Sequence, residues 1–181
     1  MRFCLMIVAF AFATLGTALP ARAEVAAAAP GAFLIQVEAE LAATPDQAWR
    51  ALTRIGRWWS SEHTYSGDAA RLRLDARAGG CWCERWNGGS VEHARVVVAM
   101  EREGVRTLRT IGGLGPLQEM GTTAIMTFTI TPQASGAKIS MTYRVAGDPG
   151  LGLDQMAPFV DQVLMEQFAR LVRYTVTGSP D

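Results

Sequence analysis

Hydrophobic and polar positions alternate from residue 33 onward. In FLIQVEAELAA, Ile35, Val37, Ala39 and Leu41 fall on one side and Gln36, Glu38 and Glu40 on the other, the period of two expected of a half-buried strand. Thr44-Pro45-Asp46 then reads as a helix start, with an N-cap, a proline at the first helical position and an acid in the first turn. A short helix from Asp46 to about Thr53 is predicted, followed by a turn and a second short helix or bend at Ile55-Gly56-Arg57-Trp58-Trp59. Residues 70–146 are almost wholly strand-like, punctuated by glycine clusters, with Asn87-Gly88-Gly89 and Ser135-Gly136 as hairpin turns. Such regular spacing predicts an antiparallel meander. In APFVDQVLMEQFARLVRYTV the period changes to helical: Val160, Val163, Leu164, Gln167, Phe168, Leu171 and Val172 form one stripe, with Pro158 in the first turn and Gly178 past the end. A helix with so broad an apolar stripe needs a large apolar partner, and the concave face of the sheet is the candidate. The pattern is therefore α+β: a sheet of about six or seven antiparallel strands, two short helices after the first strand, and one long C-terminal helix.

The first 23 residues change the picture of where the chain works. MRFCLMIVAFAFATLGTALPARA places Arg2 before an apolar run and ends in Ala21-Arg22-Ala23, the anatomy of a signal peptide cleaved after Ala23. The run from Cys4 to Ala18 is about 15 residues, short of the roughly 20 that a spanning helix needs. The expected product is periplasmic or secreted and not integral to a membrane, with 24–32 as a flexible Ala-rich lead-in, one domain over 33–176 and a tail at 177–181. Losing Arg2 and Arg22 leaves 15 of the 17 basic residues against 17 acidic ones, so no global basic field exists to attract nucleic acid.

Three stretches, ATPDQAWRALTRIGRWW, LDARAGGCWCERW and APFVDQVLMEQFARLVRY, set in this order of elements, resemble the START-like or SRPBCC superfamily. The likeness is to the branch holding polyketide cyclase and dehydrase-like proteins and the activator of heat-shock-protein ATPase homology proteins, and it covers residues 33 to 175. It implies a helix-grip fold, in which the sheet wraps around the C-terminal helix and a cavity between them takes lipids, polyketides or aromatic metabolites. Some members catalyse cyclisation, dehydration or hydrolysis there, while many are carriers. The export signal sets this chain apart from the cytosolic co-chaperones, and one fold hosts many activities.

GGCWCERW concentrates the candidate chemistry. Strict alternation puts Cys81, Cys83 and Arg85 on one face and Trp82, Glu84 and Trp86 on the other. Arginine is costly to bury unpaired and tryptophan has the most apolar area to gain, so the second set is expected inside. Two cysteines on a straight strand are roughly 6.6 Å apart at Cα, so a disulfide would need a bulge. Unpaired packing thiols are favoured over a labile disulfide, and a metal site is disfavoured because only His63 and His93 could complete it. Among indoles the carboxyl of Glu84 should have a raised pKa. It is a candidate general acid or base with His93, His63 or Tyr65, an anchor for a ligand hydroxyl, or a structural partner of Arg95. Alternation puts His93 and Arg95 on one face and Glu92 on the other. Trp58, Trp59, Tyr65, Trp82, Trp86, Met120, Met126, Met141, Phe159 and Val163 are the expected ligand-lining residues, with Met156 and Met165 as further adaptable lining. GGLGPLQEMG lacks the third glycine and the strand-then-helix setting of a dinucleotide fingerprint, so it reads as a gate over the cavity. No cofactor and no metal are expected. The function expected is binding of a small hydrophobic ligand, with a cyclase, dehydratase or hydrolase as the first alternative and a protein-docking module as the second.

Overall fold

The computed structural model describes residues 24–181, so the expected signal peptide lies outside the described residues. Eight antiparallel strands form one sheet: β1 (Glu24–Ala29), β2 (Ala32–Leu41), β3 (Leu72–Leu74), β4 (Cys81–Trp86), β5 (Gly89–Arg102), β6 (Val105–Ile111), β7 (Thr123–Gln133) and β8 (Gly136–Ala146). Their spatial order is β1-β2-β8-β7-β6-β5-β4-β3, so the meander from β3 to β8 is closed by pairing β8 with β2. Helix α1 (Pro45–Thr53) follows β2, a short α2 (Pro116–Glu119) sits between β6 and β7, and α3 (Leu153–Thr177) lies across the sheet. This is a helix-grip fold, with one strand more than the upper expectation.

The extra strand is β1. An alanine-rich segment has low β propensity and carries no alternation, so EVAAAA reads as a flexible lead-in. The turn at Pro30 and Gly31 folds it back onto β2 in register from Ala29↔Ala32 to Glu24↔Gln36, and the flexible segment is an edge strand. Thr44 caps α1 as predicted, in a reciprocal capping box with Gln47. The second short helix is a single 3-10 turn at Ile55–Arg57, with two more at Ser61–His63 and Ala69–Arg71. Helix α3 starts four residues before APFV, which moves Pro158 from the first turn into the second. No helix among the described residues is long and apolar enough to cross a membrane.

The core lies between the inner face of the sheet and α1 and α3. Val37, Met141 and Phe128 stand side by side on β2, β8 and β7, with Ile35, Tyr143 and Met126 in the next row, and all six are buried. Leu164, Phe168 and Leu171 of α3 complete this core. Burying each such side chain contributes about 1.5–3 kcal/mol, which is what holds a long helix to a sheet. Strand β5 carries two bulges, one opposite Trp82 and Cys83 and one between Val96 and Val98. Bulges bend a strand and raise its twist, and these help the sheet to curl around α3.

Candidate functional site

A groove of about 580 Å³ opens between the N-terminal half of α3, the loop between α1 and β3, and the segment joining β6 to β7. Met156, Phe159, Val160 and Val163 supply the helix wall, Leu114, Pro116 and Leu117 the opposite wall, and Trp59, His63, Tyr65 and His93 the third. Three buried polar side chains hold these walls. Tyr143 Oη accepts from Leu114 N at 3.0 Å, Gln167 Oε1 accepts from Ser60 N at 2.7 Å, and Glu84 accepts from two loop N–H groups. Arg170 Nε adds a bond to Trp58 O, and His63 Nε2 lies 3.3 Å from Glu166 at the rim. A loop has no ladder of its own, so its buried N–H groups must be met by side chains.

Glu84 is fully buried behind the third wall. Its Oε1 receives Ser66 N at 2.6 Å, and its Oε2 receives Tyr65 N at 3.1 Å and lies 3.0 Å from His93 Nε2. Burial alone would raise the carboxyl pKa, as the sequence suggested. Hydrogen bonding by Ser66, Tyr65 and His93 together outweighs it, and the carboxyl is held below its usual value. The expected rise is thus a fall, because donors rather than indoles surround the oxygens. His93 is pushed below the ordinary imidazole value by burial, against the opposing pull of Glu84. The pair at neutral pH is therefore a carboxylate and a neutral imidazole, with Nε2–H donating to Glu84.

The bulge in β5 decides which residues meet. Trp82 pairs with Ala94 and Cys83 with Glu92, so His93 is the extra residue of the strand. It turns inward beside Ala94, and Arg95 stays outside and pairs with Glu92 at 2.7 Å. The expected shared face of His93 and Arg95 is lost for this reason, and Arg95 is not the partner of Glu84. Beside the same bulge the Cα atoms of Cys81 and Cys83 lie 5.4 Å apart, and the two form a disulfide. The thiols expected to be unpaired are bridged. Glu92 lies near both sulfurs, but sulfurs committed to a disulfide offer no thiolate to a metal. Gly112 packs so tightly under the bulge that a Cβ there would lie 2.5 Å from His93 O.

Aromatic rings connect the core to the groove: Trp58 to Trp59 at 5.6 Å, Trp59 to Trp82 at 4.7 Å, Trp82 to His93 at 5.9 Å, and His93 to Tyr65 at 5.7 Å. Of the residues singled out in the sequence, Trp59, His63, Tyr65, His93, Met156, Phe159 and Val163 line the groove. Trp58, Met126 and Met141 belong to the core, where their area packs against α3 and the sheet, and Trp82 backs His93 from within. Trp86 lies against Gly89 in its own hairpin, and Met120 caps α2 behind the groove wall. Leu114, Leu117 and Val160 were missed as lining. Tyr143 and Gln167 were missed as latches, although a tyrosine at an inward strand position and a glutamine within an apolar stripe both demand a buried partner.

No family model matches the chain, and no curated protein matches it. Solved structures do share its fold. A norcoclaurine synthase point mutant from Thalictrum flavum, in complex with a transition-state analogue, aligns with TM-score 0.51 at 13% identity over 87% of this chain and 96% of its own. CalU16 from Micromonospora echinospora aligns with TM-score 0.50 at 17% identity over 83% of this chain and 78% of its own. A Staphylococcus aureus protein of unknown function aligns with TM-score 0.53 at 12% identity over 80% and 91%. The synthase and CalU16 are helix-grip proteins of the SRPBCC, Bet v1-like kind, and the likeness at these identities is one of fold.

Proposed function

We infer that this is an exported START-like protein of the polyketide cyclase and dehydrase-like branch, periplasmic or secreted, that binds a small hydrophobic or amphipathic ligand in the groove beside α3. A lipid tail, a polyketide or an aromatic metabolite fits the chemistry of its walls. The observation that carries this reading is the groove itself: about 580 Å³, within the usual range for small-molecule sites, with apolar side chains on two walls and a few convergent polar groups on the third. Phe159 supports it further, because a phenylalanine left 73% exposed at the rim gains area only when something covers it. That a norcoclaurine synthase on this fold takes a transition-state analogue is in keeping with a ligand here.

Native mass spectrometry of the protein purified from its own host tests both halves. A co-purifying apolar molecule and a chain beginning at Glu24 are expected. Displacement of that molecule by anilinonaphthalene sulfonate, abolished in Val163→Glu, would assign it to the groove. An empty protein that also leaves the probe unbound would sink the reading.

A further inference from the structure

We propose that His93, held by Glu84, is a general base that removes a proton from a carbon acid bound in the groove, the substrate class being a small apolar carbonyl compound with an acidic C–H next to the carbonyl. This rests on the groove as a ligand site and adds a reaction to it. One imidazole nitrogen is committed and the other is not. Nε2 faces Glu84 at 3.0 Å, Nδ1 makes no hydrogen bond among the described residues, and the ring lines the groove. A carboxylate that fixes the tautomer and steadies the imidazolium leaves the lone pair of the second nitrogen aimed at a ligand. The third wall was built for this at a cost: β5 gives up a ladder position at its bulge to turn His93 inward.

The groove also says which reaction fits. Among the described residues its lining holds no serine or cysteine, and the Thr64 hydroxyl donates to Ser61 O at 2.8 Å, so none of these residues sets an activated hydroxyl or thiol beside the base. Proton transfer needs none. The C–H bond breaks, its electron pair forms the carbon–carbon double bond of an enolate, and the proton bonds to Nδ1 while Nε2–H stays on Glu84. Where the substrate is a β,γ-unsaturated carbonyl compound, the anion is a dienolate, and returning that proton to its γ-carbon gives the α,β-unsaturated isomer without any co-reactant. Tyr65, with its ring 5.7 Å from the imidazole, brings a phenol to the same wall as a donor for the enolate oxygen.

The test uses nitrobenzisoxazole, an apolar probe that reports a base directly. Loss of its ring C–H proton to the base forms the nitrile, breaks the N–O bond and leaves the electron pair on a coloured phenolate. Saturable turnover above the buffer rate is expected, with kcat down roughly 100-fold or more in His93→Gln, which keeps an amide to face Glu84 but has no base. Glu84→Gln should lower kcat with KM little changed, as befits a positioning residue. Turnover should hold through neutral pH and fall only below the ordinary imidazole range, since the groups facing His93 are Glu84 and the Tyr65 phenol, with His63, Glu62 and Glu119 elsewhere in the groove. A protein that binds the probe, shown by displacement of anilinonaphthalene sulfonate, yet turns it over no faster than buffer overturns the base and leaves the groove standing. Equal kcat in His93→Gln does the same. A protein that binds neither compound overturns both.

Discussion

The two ends of α3 solve opposite problems with the same kind of residue. Toward the C-terminus, Phe168 and Leu171 are buried in the core between helix and sheet, with Leu164 at the boundary where the core meets the groove. Toward the N-terminus, Met156, Phe159, Val160 and Val163 face loops across open space. Strands satisfy their backbones through the ladder, so the closed end needs only shape and apolar area. Loops do not, so the open end is held by single buried polar side chains: Glu84, Gln167 and Tyr143. Tyr143 shows the cost, because burial pushes its phenol up to about 12 even with Leu114 N bound to it. The closed end stabilises the fold; the open end spends part of that stability to keep a shaped hollow.

The comparison breaks first at the closed end. Phe168→Ala removes a fully buried ring and should cost about 3–5 kcal/mol, measured by urea unfolding. A loss under about 1 kcal/mol would mean that the helix is not gripped where the structure has it.

Glu84→Ala is the corresponding blow at the open end. It strands the N–H groups of Tyr65 and Ser66 and leaves His93 without its acceptor, at a cost of about 3 kcal/mol. Unlike the core variant, it should also change the response to acid. Both Glu84 and His93 have folded pKa values below their unfolded ones, so the unfolded chain binds more protons, and stability falls as pH drops from about 6.5 through the carboxylate range. Asp161 works with the opposite sign, since burial raises its pKa and its contribution is lost as pH rises through the acid range. Unfolding free energies at pH 7, 5.5 and 4 should therefore decline in the parent protein. The decline below pH 5 should be smaller in Glu84→Ala, and an identical slope would show that Glu84 is not held as an anion.

The same division governs how much could be read from the sequence. The closed end was legible because period two and period 3.6 are direct prints of burial: Ile35, Val37 and Leu41 point inward as alternation requires, and Leu164, Phe168 and Leu171 follow the helical stripe. GGCWCERW announced that something happens at β4, and Glu84 and His93 were both named. Their geometry was not legible, because it depends on one inserted residue. A bulge leaves no mark in the hydrophobic pattern of a short strand, yet it turns His93 inward and sends Arg95 out beside the Cys81–Cys83 bridge. The wall contributed by Leu114 and Leu117 was hidden for a related reason: a groove between three segments belongs to no single period.

A smaller effect should come from Cys81→Ser with Cys83→Ser. The bridge closes a loop of three residues, so its entropic contribution is only about 1–2 kcal/mol. Intact mass should show the parent two daltons lighter than its reduced form. If the bridge merely locks a bulge that the strand pairing already specifies, the double variant keeps its base and its turnover of nitrobenzisoxazole. If turnover vanishes while unfolding stays cooperative, the bridge is what sets His93.

The least effect on stability and the sharpest test of the division is Phe159→Ser. At the closed end, removing a phenylalanine opens a hole; at the open end, a ring that is 73% exposed packs against little, and its loss should move the unfolding free energy by under about 0.5 kcal/mol. Binding should not be so indifferent. A ligand in the groove covers that ring, and losing the contact should weaken anilinonaphthalene sulfonate by roughly fivefold, about 1 kcal/mol. Stability and affinity thus separate at Phe159 and coincide at Phe168, where unfolding takes both away. Were Phe159→Ser to destabilise the fold as Phe168→Ala does, the two ends of α3 would be one continuous core, and the groove would have to be sought elsewhere.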